Sequence, residues 1–209
     1  AVERAIGPKT RAVVVVHMCG SMAQIDTLAD VCSRKKVTLI EDTAQAVGGT
    51  FDGRALGTFG KLGCFSFDAV KTMTCGEGGA VVTGDRTLYE RADQYADHGH
   101  DHVGANRGLD DHPILGTNFR ISELHAAVGL AQLRKLDRIL ETQRRHKSHL
   151  KEALSAHPEI SFRRIPDPAG DTATFLTFFL PDEPRARQAA GELATAGVDG
   201  CVHWYDNKW

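Results

Sequence analysis

A strand–helix–strand pattern near the start of the chain decides its fold class. It begins with Ala12-Val13-Val14-Val15-Val16 and ends with Val37-Thr38-Leu39-Ile40-Glu41-Asp42. The first run is continuous and β-branched, which is typical of a strand that is buried on both faces. Between the two runs, residues 22–36 carry apolar side chains at helical spacing. A unit of this length predicts two neighbouring parallel strands joined by a helix, as in α/β proteins.

The alternation of strands and helices continues along the chain. The pattern predicts strands over 64–67 and 79–83, a helix over 86–97, a polar loop over 98–117 and one long helix over 121–157. The first part of the chain is therefore predicted to be an α/β domain with a mainly parallel sheet.

A proline-rich stretch that starts at Pro158 separates this part from the last fifty residues. Beyond it, residues 175–180 have the pattern of a strand and residues 185–196 that of a helix. We expect a large domain over 1–157, which includes a long interdomain helix, and the beginning of a small α+β domain over 158–209.

Composition excludes several classes of protein. The 209 residues have a formal net charge of −2 and are 42% hydrophobic, so the chain is neither disordered nor attracted to nucleic acid by its charge. No apolar run approaches the roughly 18 residues of a membrane-spanning helix, so we expect no membrane partner. The five cysteines have no C-x-x-C spacing, which favours reduced thiols, a cytoplasmic location and no structural zinc site.

Both ends of the chain look cut. The chain starts at Ala1 without a methionine, and it stops in an aromatic-rich stretch at Trp209. Natural termini are usually polar and frayed. We expect a fragment of a longer polypeptide.

Four polar side chains fall at or just after predicted strands. Asp42 ends the second strand, Gln45 follows it by three residues, Ser66 lies in the next strand and Lys71 comes soon after that. Open α/β sheets bind ligands at the carboxyl ends of their strands. Partial desolvation there lowers the pKa of a lysine and frees its amine for Schiff-base formation. Taken alone, Asp42 is equally compatible with a solvated acid or a helix cap, and Lys71 with a surface lysine.

Taken together and in this order, these residues resemble a known family. The chain is similar to the DegT/DnrJ/EryC1/StrS sugar aminotransferases, which depend on pyridoxal 5′-phosphate and have the aspartate-aminotransferase fold (fold type I). The segments that carry the resemblance are 16–20, 41–46 (Glu-Asp-Thr-Ala-Gln-Ala), 63–67 (Gly-Cys-Phe-Ser-Phe), Lys71 with 76–81, and 118–124 (Asn-Phe-Arg-Ile-Ser-Glu-Leu).

The resemblance implies a role for each matching residue. Lys71 would bind the cofactor covalently and then transfer a proton between substrate and cofactor. Asp42 would contact the pyridine nitrogen and Gln45 the phenolic oxygen, while Ser66 would bind the phosphate. Asn118 or Arg120 would reach a phosphate or a substrate in the site of a neighbouring subunit.

The resemblance also implies substrates and an assembly. Within the family, segments 17–22, 70–79, 97–102 and 198–201 are most similar to enzymes that aminate 8-oxo-3-deoxy-manno-octulosonate for the amino sugars of lipopolysaccharide. L-glutamate is the implied amino donor, and a homodimer with shared active sites the implied assembly. An aminotransferase that acts on a nucleotide-linked keto sugar is the alternative. By the same resemblance, the chain lacks the family's N-terminal third and C-terminal end.

Three other interpretations remain open. His98, His100 and His102 alternate along the chain and, with Asp42, could serve a metal-dependent hydrolase, although we expect a polar loop and no metal. Sugar dehydratases related to the family carry histidine in place of the lysine, which the presence of Lys71 disfavours. The last interpretation is a non-catalytic fragment that keeps the fold.

Overall fold

The computed structural model of the chain describes residues 1–104 and 106–206. Its helices and strands, in chain order, are α1 (Val2–Ala5), β1 (Ala12–Val16), α2 (Ile25–Lys35), β2 (Thr38–Asp42), β3 (Thr50–Phe51), β4 (Arg54–Ala55), β5 (Leu62–Ser66), β6 (Gly79–Val82), α3 (Arg86–Ala96), α4 (Glu123–Leu133), α5 (Leu136–Leu154), β7 (Ser161–Phe162), β8 (Phe178–Phe179) and α6 (Glu183–Thr195).

Four strands form the central sheet, in the order β1-β2-β5-β6. β1 is parallel to β2 and β2 is parallel to β5, whereas β6 is antiparallel to β5. This arrangement confirms the predicted α/β fold with a mainly parallel sheet. The carboxyl ends of β1, β2 and β5 therefore meet at one edge of the sheet.

One face of the sheet is covered by α2. Val15 and Leu39 from the sheet pack with Met22, Ile25 and Cys32 in a buried apolar cluster. The prediction that β1 is buried on both faces is wrong, because Val14 is 61% exposed. β1 is the edge strand of the sheet that the described residues form, and no helix of those residues covers the other side of Val14.

The long helix predicted over 121–157 is two helices. α4 begins at Glu123, where the side chain of Ser122 accepts a hydrogen bond from the backbone of His125, and α5 begins at Leu136. At the break, the N–H of Lys135 donates to the carbonyl of Gln132 at 2.9 Å, which is the spacing of a tighter 3₁₀ turn. The apolar pattern alone gives no sign of this break, since neither proline nor glycine stands there.

The described residues divide into two compact units. The first holds Ala1–Arg145 with Ile165–Thr174, and the second holds His146–Arg164 with residues 175–206. The predicted division into domains over 1–157 and 158–209 concerns the intact protein and stays a prediction.

Within the second unit, the strand predicted over 175–180 is much shorter. Only Phe178–Phe179 pairs, antiparallel to Ser161–Phe162. The helix predicted over 185–196 is confirmed but begins at Glu183. Asp182 caps it by accepting from the N–H of Arg185, and Pro184 is tolerated because it lies in the first turn.

Candidate functional site

The register of the sheet places Asp42 and Ser66 on the same face. Asp42 pairs with Cys64 across the parallel strands β2 and β5, and paired residues point to the same side. Ser66 lies two residues beyond Cys64, so its side chain also points to that side. Both residues end their strands. The structure therefore brings the predicted Asp42 and Ser66 to one corner of the sheet.

The negative charge of Asp42 affects the pKa of the neighbouring Cys64 thiol. Burial raises the pKa of Cys64, and the negative charge of Asp42 raises it further. A carboxylate has this effect only when it lies close to the thiol, as the pairing of Asp42 with Cys64 requires.

Lys71 lies in an ordered turn that follows β5. Its backbone N–H donates to the carbonyl of Asp68 at 3.1 Å, and the N–H of Cys75 closes the loop on the carbonyl of Phe67 at 2.8 Å. The Lys71 side chain is half-buried. Among the described residues, none accepts a hydrogen bond from its ammonium group.

The amide of Gln45 has a fixed orientation. Its Oε1 accepts a hydrogen bond from the backbone N–H of Cys19 at 2.9 Å. Because a backbone N–H can only donate, the oxygen of the amide must face Cys19 and the NH₂ group must face away from it. The Cys19 backbone is itself left-handed, with φ of 60°. Gln45 is thus prepared to donate hydrogen bonds to a ligand.

Glu41 and His17 form a buried pair on the opposite face of β2, which the sequence reasoning did not assign. Both side chains have no exposed surface, and His17 Nε2 lies 3.1 Å from Glu41 Oε2. The N–H of Ala23 donates to His17 Nδ1 at 3.2 Å, so the ring is neutral and Nε2 is its donor. Hence His17 is a satisfied strand-end histidine rather than part of a ligand pocket.

Backbone groups complete the partners of Glu41. Its oxygens accept from the N–H groups of Gly57 at 2.7 Å and of Phe59 and Gly60 at 2.6 Å each. Burial by itself would raise the pKa of Glu41, but the hydrogen bonds from His17, Gly60 and Gly57 outweigh it and hold the pKa below its ordinary value. The only sequence signal for this site was an acid at a buried position of a strand.

The strand-end residues suit a cofactor with a cationic ring, a hydroxyl and a phosphate. Asp42 Oδ1 accepts from the N–H of Ala44 at 3.0 Å, and Ser66 Oγ accepts from the N–H of Asp68 at 3.4 Å. Within the described residues, four polar groups have no other hydrogen-bond partner: Asp42 Oδ2, the Ser66 hydroxyl hydrogen, the Gln45 NH₂ group and the Lys71 amine. The donor set therefore fits pyridoxal phosphate, because it offers one anion, one amine and neutral donors.

Asn118 and Arg120 lie in a different cluster. Both side chains are exposed, and Arg120 donates to Asp97 and lies 3.1 Å from His98 Nδ1. Asn118 pairs with Asp97 in an isolated bridge. Within the described residues, neither bonds to Asp42 or Lys71.

The histidine loop is arranged around carboxylates. His102 Nδ1 lies 2.7 Å from Asp93 and Nε2 lies 3.0 Å from Asp97. Hydrogen bonds to Asp93 and then to Asp97 raise the pKa of His102. Each ring nitrogen of His102 thus already has a carboxylate partner. The described residues contain no group of three or more His, Cys, Asp or Glu side chains with metal-binding geometry.

A separate cavity of about 540 Å³ lies at the other edge of the sheet, before β5 and after β6. It is lined by Lys61, Asp85 and Arg86, among others. Lys61 pairs with Asp85 at 3.6 Å, and Asp85 caps α3, so its polar groups already have partners.

The fold and the strand-end residues define a class: α/β proteins that place a lysine and an acid at the edge of a parallel sheet. The chain belongs to the DegT/DnrJ/EryC1/StrS aminotransferase family, whose model matches residues 1–209. Members of this family depend on pyridoxal 5′-phosphate. Among the described residues, no helix has the length and apolar composition that a bilayer crossing requires.

Two curated relatives are named as inosose aminotransferases. The L-glutamine:2-deoxy-scyllo-inosose aminotransferase of Micromonospora echinospora is 41% identical over 170 residues, which are 77% of this chain and 40% of the relative. The L-glutamine:scyllo-inosose aminotransferase of Streptomyces griseus is 40% identical over 97% of this chain and 47% of the relative. The chain thus spans about half the length of the curated relatives it matches.

A solved structure supports the fold. The aminotransferase TlmJ of Streptoalloteichus hindustanus superposes with a TM-score of 0.84 and 30% identity, over 94% of this chain and 53% of that protein. This likeness confirms fold type I for the chain.

Proposed function

We propose that the full-length protein is a pyridoxal-phosphate-dependent aminotransferase that moves an amino group from an amino acid to a carbonyl carbon of a sugar. The observation that carries this proposal is the register of β2 and β5, because it puts Asp42 and Ser66 on one face just before the Lys71 turn. The family of the chain agrees with this chemistry. When bound, the cofactor supplies the aldehyde that accepts the amino group and a ring that withdraws electrons.

Lys71 holds the cofactor through its ε-amine and afterwards moves the proton at the reacting carbon. Gln45 donates through its NH₂ group to the phenolic oxygen, since its Oε1 is held by Cys19. Ser66 donates its hydroxyl hydrogen to the phosphate.

Asp42 keeps the ring nitrogen protonated. A carboxylate about 4 Å from a cation at an effective dielectric constant near 20 attracts it by roughly 4 kcal/mol. That energy corresponds to about three pKa units. Ala44 orients the carboxylate by donating to Oδ1, which leaves Oδ2 for the ring.

Covalent trapping tests this proposal. The full-length protein is incubated with pyridoxal phosphate and reduced with borohydride, and the modified peptide is mapped by mass spectrometry. We expect the label on Lys71 and none in Lys71→Ala. The half-buried Lys147 on α5 serves as a matched control, since Lys147→Ala leaves the label in place. A label elsewhere, or none in the wild type, overturns the proposal.

For the acceptor, we propose 8-oxo-3-deoxy-manno-octulosonate, which makes the protein an 8-amino-3,8-dideoxy-manno-octulosonate transaminase. Segments 17–22 and 70–79 support this choice. The two curated relatives are named for inososes and for L-glutamine as donor, so an inosose is one competing acceptor. A nucleotide-linked keto sugar is the other, since a further relative is named for a dTDP-linked amino sugar. Single-turnover assays with each acceptor, and with glutamate against glutamine, separate these possibilities. A preference for an inosose would refute the octulosonate assignment.

We also propose a cytoplasmic homodimer with shared active sites. The apolar side chains of α4 support an interface, because Leu124 is 81% exposed and Leu133 is 53% exposed. The exposed Asn118 precedes α4 and is available to a partner subunit. Five free thiols agree with a reducing compartment. Sedimentation of the full-length protein tests the dimer, and a monomer that is active at all concentrations contradicts it.

A further inference from the structure

Three threonine hydroxyls form a continuous hydrogen-bonded chain in the first unit. Thr72 Oγ1 lies 3.2 Å from Thr174 Oγ1, and Thr174 Oγ1 lies 2.9 Å from Thr172 Oγ1. Thr172 Oγ1 in turn lies 2.9 Å from the carbonyl oxygen of Gly20. The chain thus joins residues that are about a hundred positions or more apart in sequence.

The carbonyl at one end fixes the direction of every bond. A carbonyl only accepts, so the Thr172 hydroxyl donates to Gly20. The single hydroxyl hydrogen of Thr172 is then used, and Thr174 must donate to Thr172. By the same reasoning Thr72 donates to Thr174. Thr72 therefore keeps only lone pairs for any group that lies beside Lys71.

The backbone is shaped to make this chain. Ala173, between the two threonines, is 7% exposed and has a left-handed φ of 61°, which is rare for a residue with a Cβ. Gly20 has φ of 75°, and a Cβ there would lie 2.8 Å from Thr174 Oγ1. The backbone N–H of Thr172 also donates to Gly20 at 3.1 Å. Such backbone conformations persist only where surrounding contacts hold them.

Both ends of the chain lead to the proposed cofactor residues. Gly20 follows Cys19, whose N–H holds the amide of Gln45. At the other end, Thr72 directly follows Lys71. The segment that carries Thr172 and Thr174 comes from beyond α5 and contacts the Gly20 end through both the Thr172 hydroxyl and the Thr172 backbone N–H.

We propose that Thr174 is a positioning residue for Lys71, which it holds through Thr72, and that the three hydroxyls tie the Lys71 turn to the loop that orients Gln45. The role for Lys71 rests on the proposed function, whereas the restraint of the turn does not. Loss of the Thr174 hydroxyl loosens the turn and frees Thr72 to donate.

Amide hydrogen exchange of the cofactor-free, full-length protein tests the restraint. In Thr174→Val, which keeps the size of the side chain, we expect exchange in peptides spanning residues 68–75 to accelerate about fivefold to tenfold, as for the loss of one hydrogen bond. Thr174→Ser restores the hydroxyl and the wild-type rate. Thr177→Val is the matched control, because no described residue bonds to the half-buried Thr177 hydroxyl.

Two outcomes overturn the inference. One is an exchange rate over residues 68–75 in Thr174→Val that equals the wild-type rate. The other is an equal acceleration in all peptides of the protein, which indicates a general packing role. If Thr174→Val does not fold, Thr72→Val breaks the same chain from its other end and must accelerate exchange over 68–75. Acylation of the Lys71 amine is followed by mass spectrometry over a range of pH. The pH dependence of the acylation rate must differ from that of the wild type in Thr174→Val and match it in Thr174→Ser. Borohydride trapping of the wild type is scored separately, so failure of the proposed function leaves the exchange result decisive for the restraint.

Discussion

His17 donates a hydrogen bond of 3.1 Å to Glu41, and both side chains are completely buried. A buried carboxylate is stable only when its oxygens have partners, and Glu41 has four. The next residue, Asp42, points to the other face of the same strand. The pair therefore fixes the strand end on which the proposed site is built.

Replacing Glu41 by glutamine should destabilise the protein by about 3 kcal/mol at pH 7, because the new NH₂ group would face backbone N–H donors. The folded-state pKa of Glu41 is lowered, so its ionisation stabilises the fold above the ordinary carboxyl pKa. That stabilisation is lost as the pH falls through the folded value. Urea unfolding between pH 3 and 7 should show the gap between wild type and Glu41→Gln narrowing below about pH 4.5.

The exposed Glu152 provides the control for this experiment. Glu152→Gln should unfold like the wild type at every pH. A gap for Glu41→Gln that stays constant down to pH 3 would contradict the assignment of a depressed pKa.

Gly63→Ala should be strongly destabilising. A Cβ at Gly63 would overlap the backbone carbonyl of Gly57, and that backbone cannot retreat because its N–H is bonded to Glu41. We expect a loss of about 3 kcal/mol in the free energy of unfolding. Gly191→Ala is the opposite case, since it lies inside α6 with nothing within 4 Å of a new Cβ. It should stabilise the protein by about 0.5 to 1 kcal/mol. Chemical denaturation gives the free energy of unfolding of both variants, and a stable Gly63→Ala or a destabilised Gly191→Ala would contradict these expectations.

Asp42→Asn should leave covalent attachment at Lys71 intact but lower kcat about a thousandfold, because the ring nitrogen loses roughly 4 kcal/mol of charge stabilisation. Stopped-flow measurement gives the rate constant of the half-reaction with the amino donor, which should fall by the same factor. Asp30→Asn, which changes an exposed carboxylate on α2, should leave it unchanged. A rate within threefold of the wild type in Asp42→Asn would remove Asp42 from the proposed mechanism.

His102→Gln should lower the melting temperature by about 2 °C at pH 6, since each bond it breaks is partly exposed to solvent. Hydrogen bonds to Asp93 and Asp97 raise the pKa of His102 in the folded protein. The stabilisation is complete below the ordinary histidine pKa and disappears as the pH rises through the folded value. Melting curves from pH 5.5 to 9 should therefore converge at high pH, and a difference that grows with pH would be inconsistent with this bridge.

Local patterns were sufficient to predict the sheet. β1, β2, β5 and β6 all lie within two residues of their predicted positions, because short apolar runs bounded by polar residues and glycines are typical of strands. The same patterns placed Asp42 at a strand end. They could not predict that Val14 is exposed, because burial depends on what covers a strand rather than on the strand itself.

Contacts between distant segments were beyond sequence reasoning. The bond between Thr172 and Gly20 spans 152 positions, and the partners of Glu41 are backbone groups that any sequence possesses. Arg120 carried a motif signal, yet its bond to Asp97 follows from the bridge between Asp97, just after α3, and Asn118, before α4. Such contacts are set by the assembled fold and leave no periodicity in the chain.

The loop that receives Glu41 contributes main-chain amides from positions 57, 59 and 60 rather than side chains. Proline, which has no amide hydrogen, is therefore barred from all three positions. Position 60 also needs glycine, because a Cβ there would lie 2.6 Å from the backbone carbonyl oxygen of Leu39. A saturation library of this loop should be depleted of proline at each of the three positions and should retain glycine at position 60.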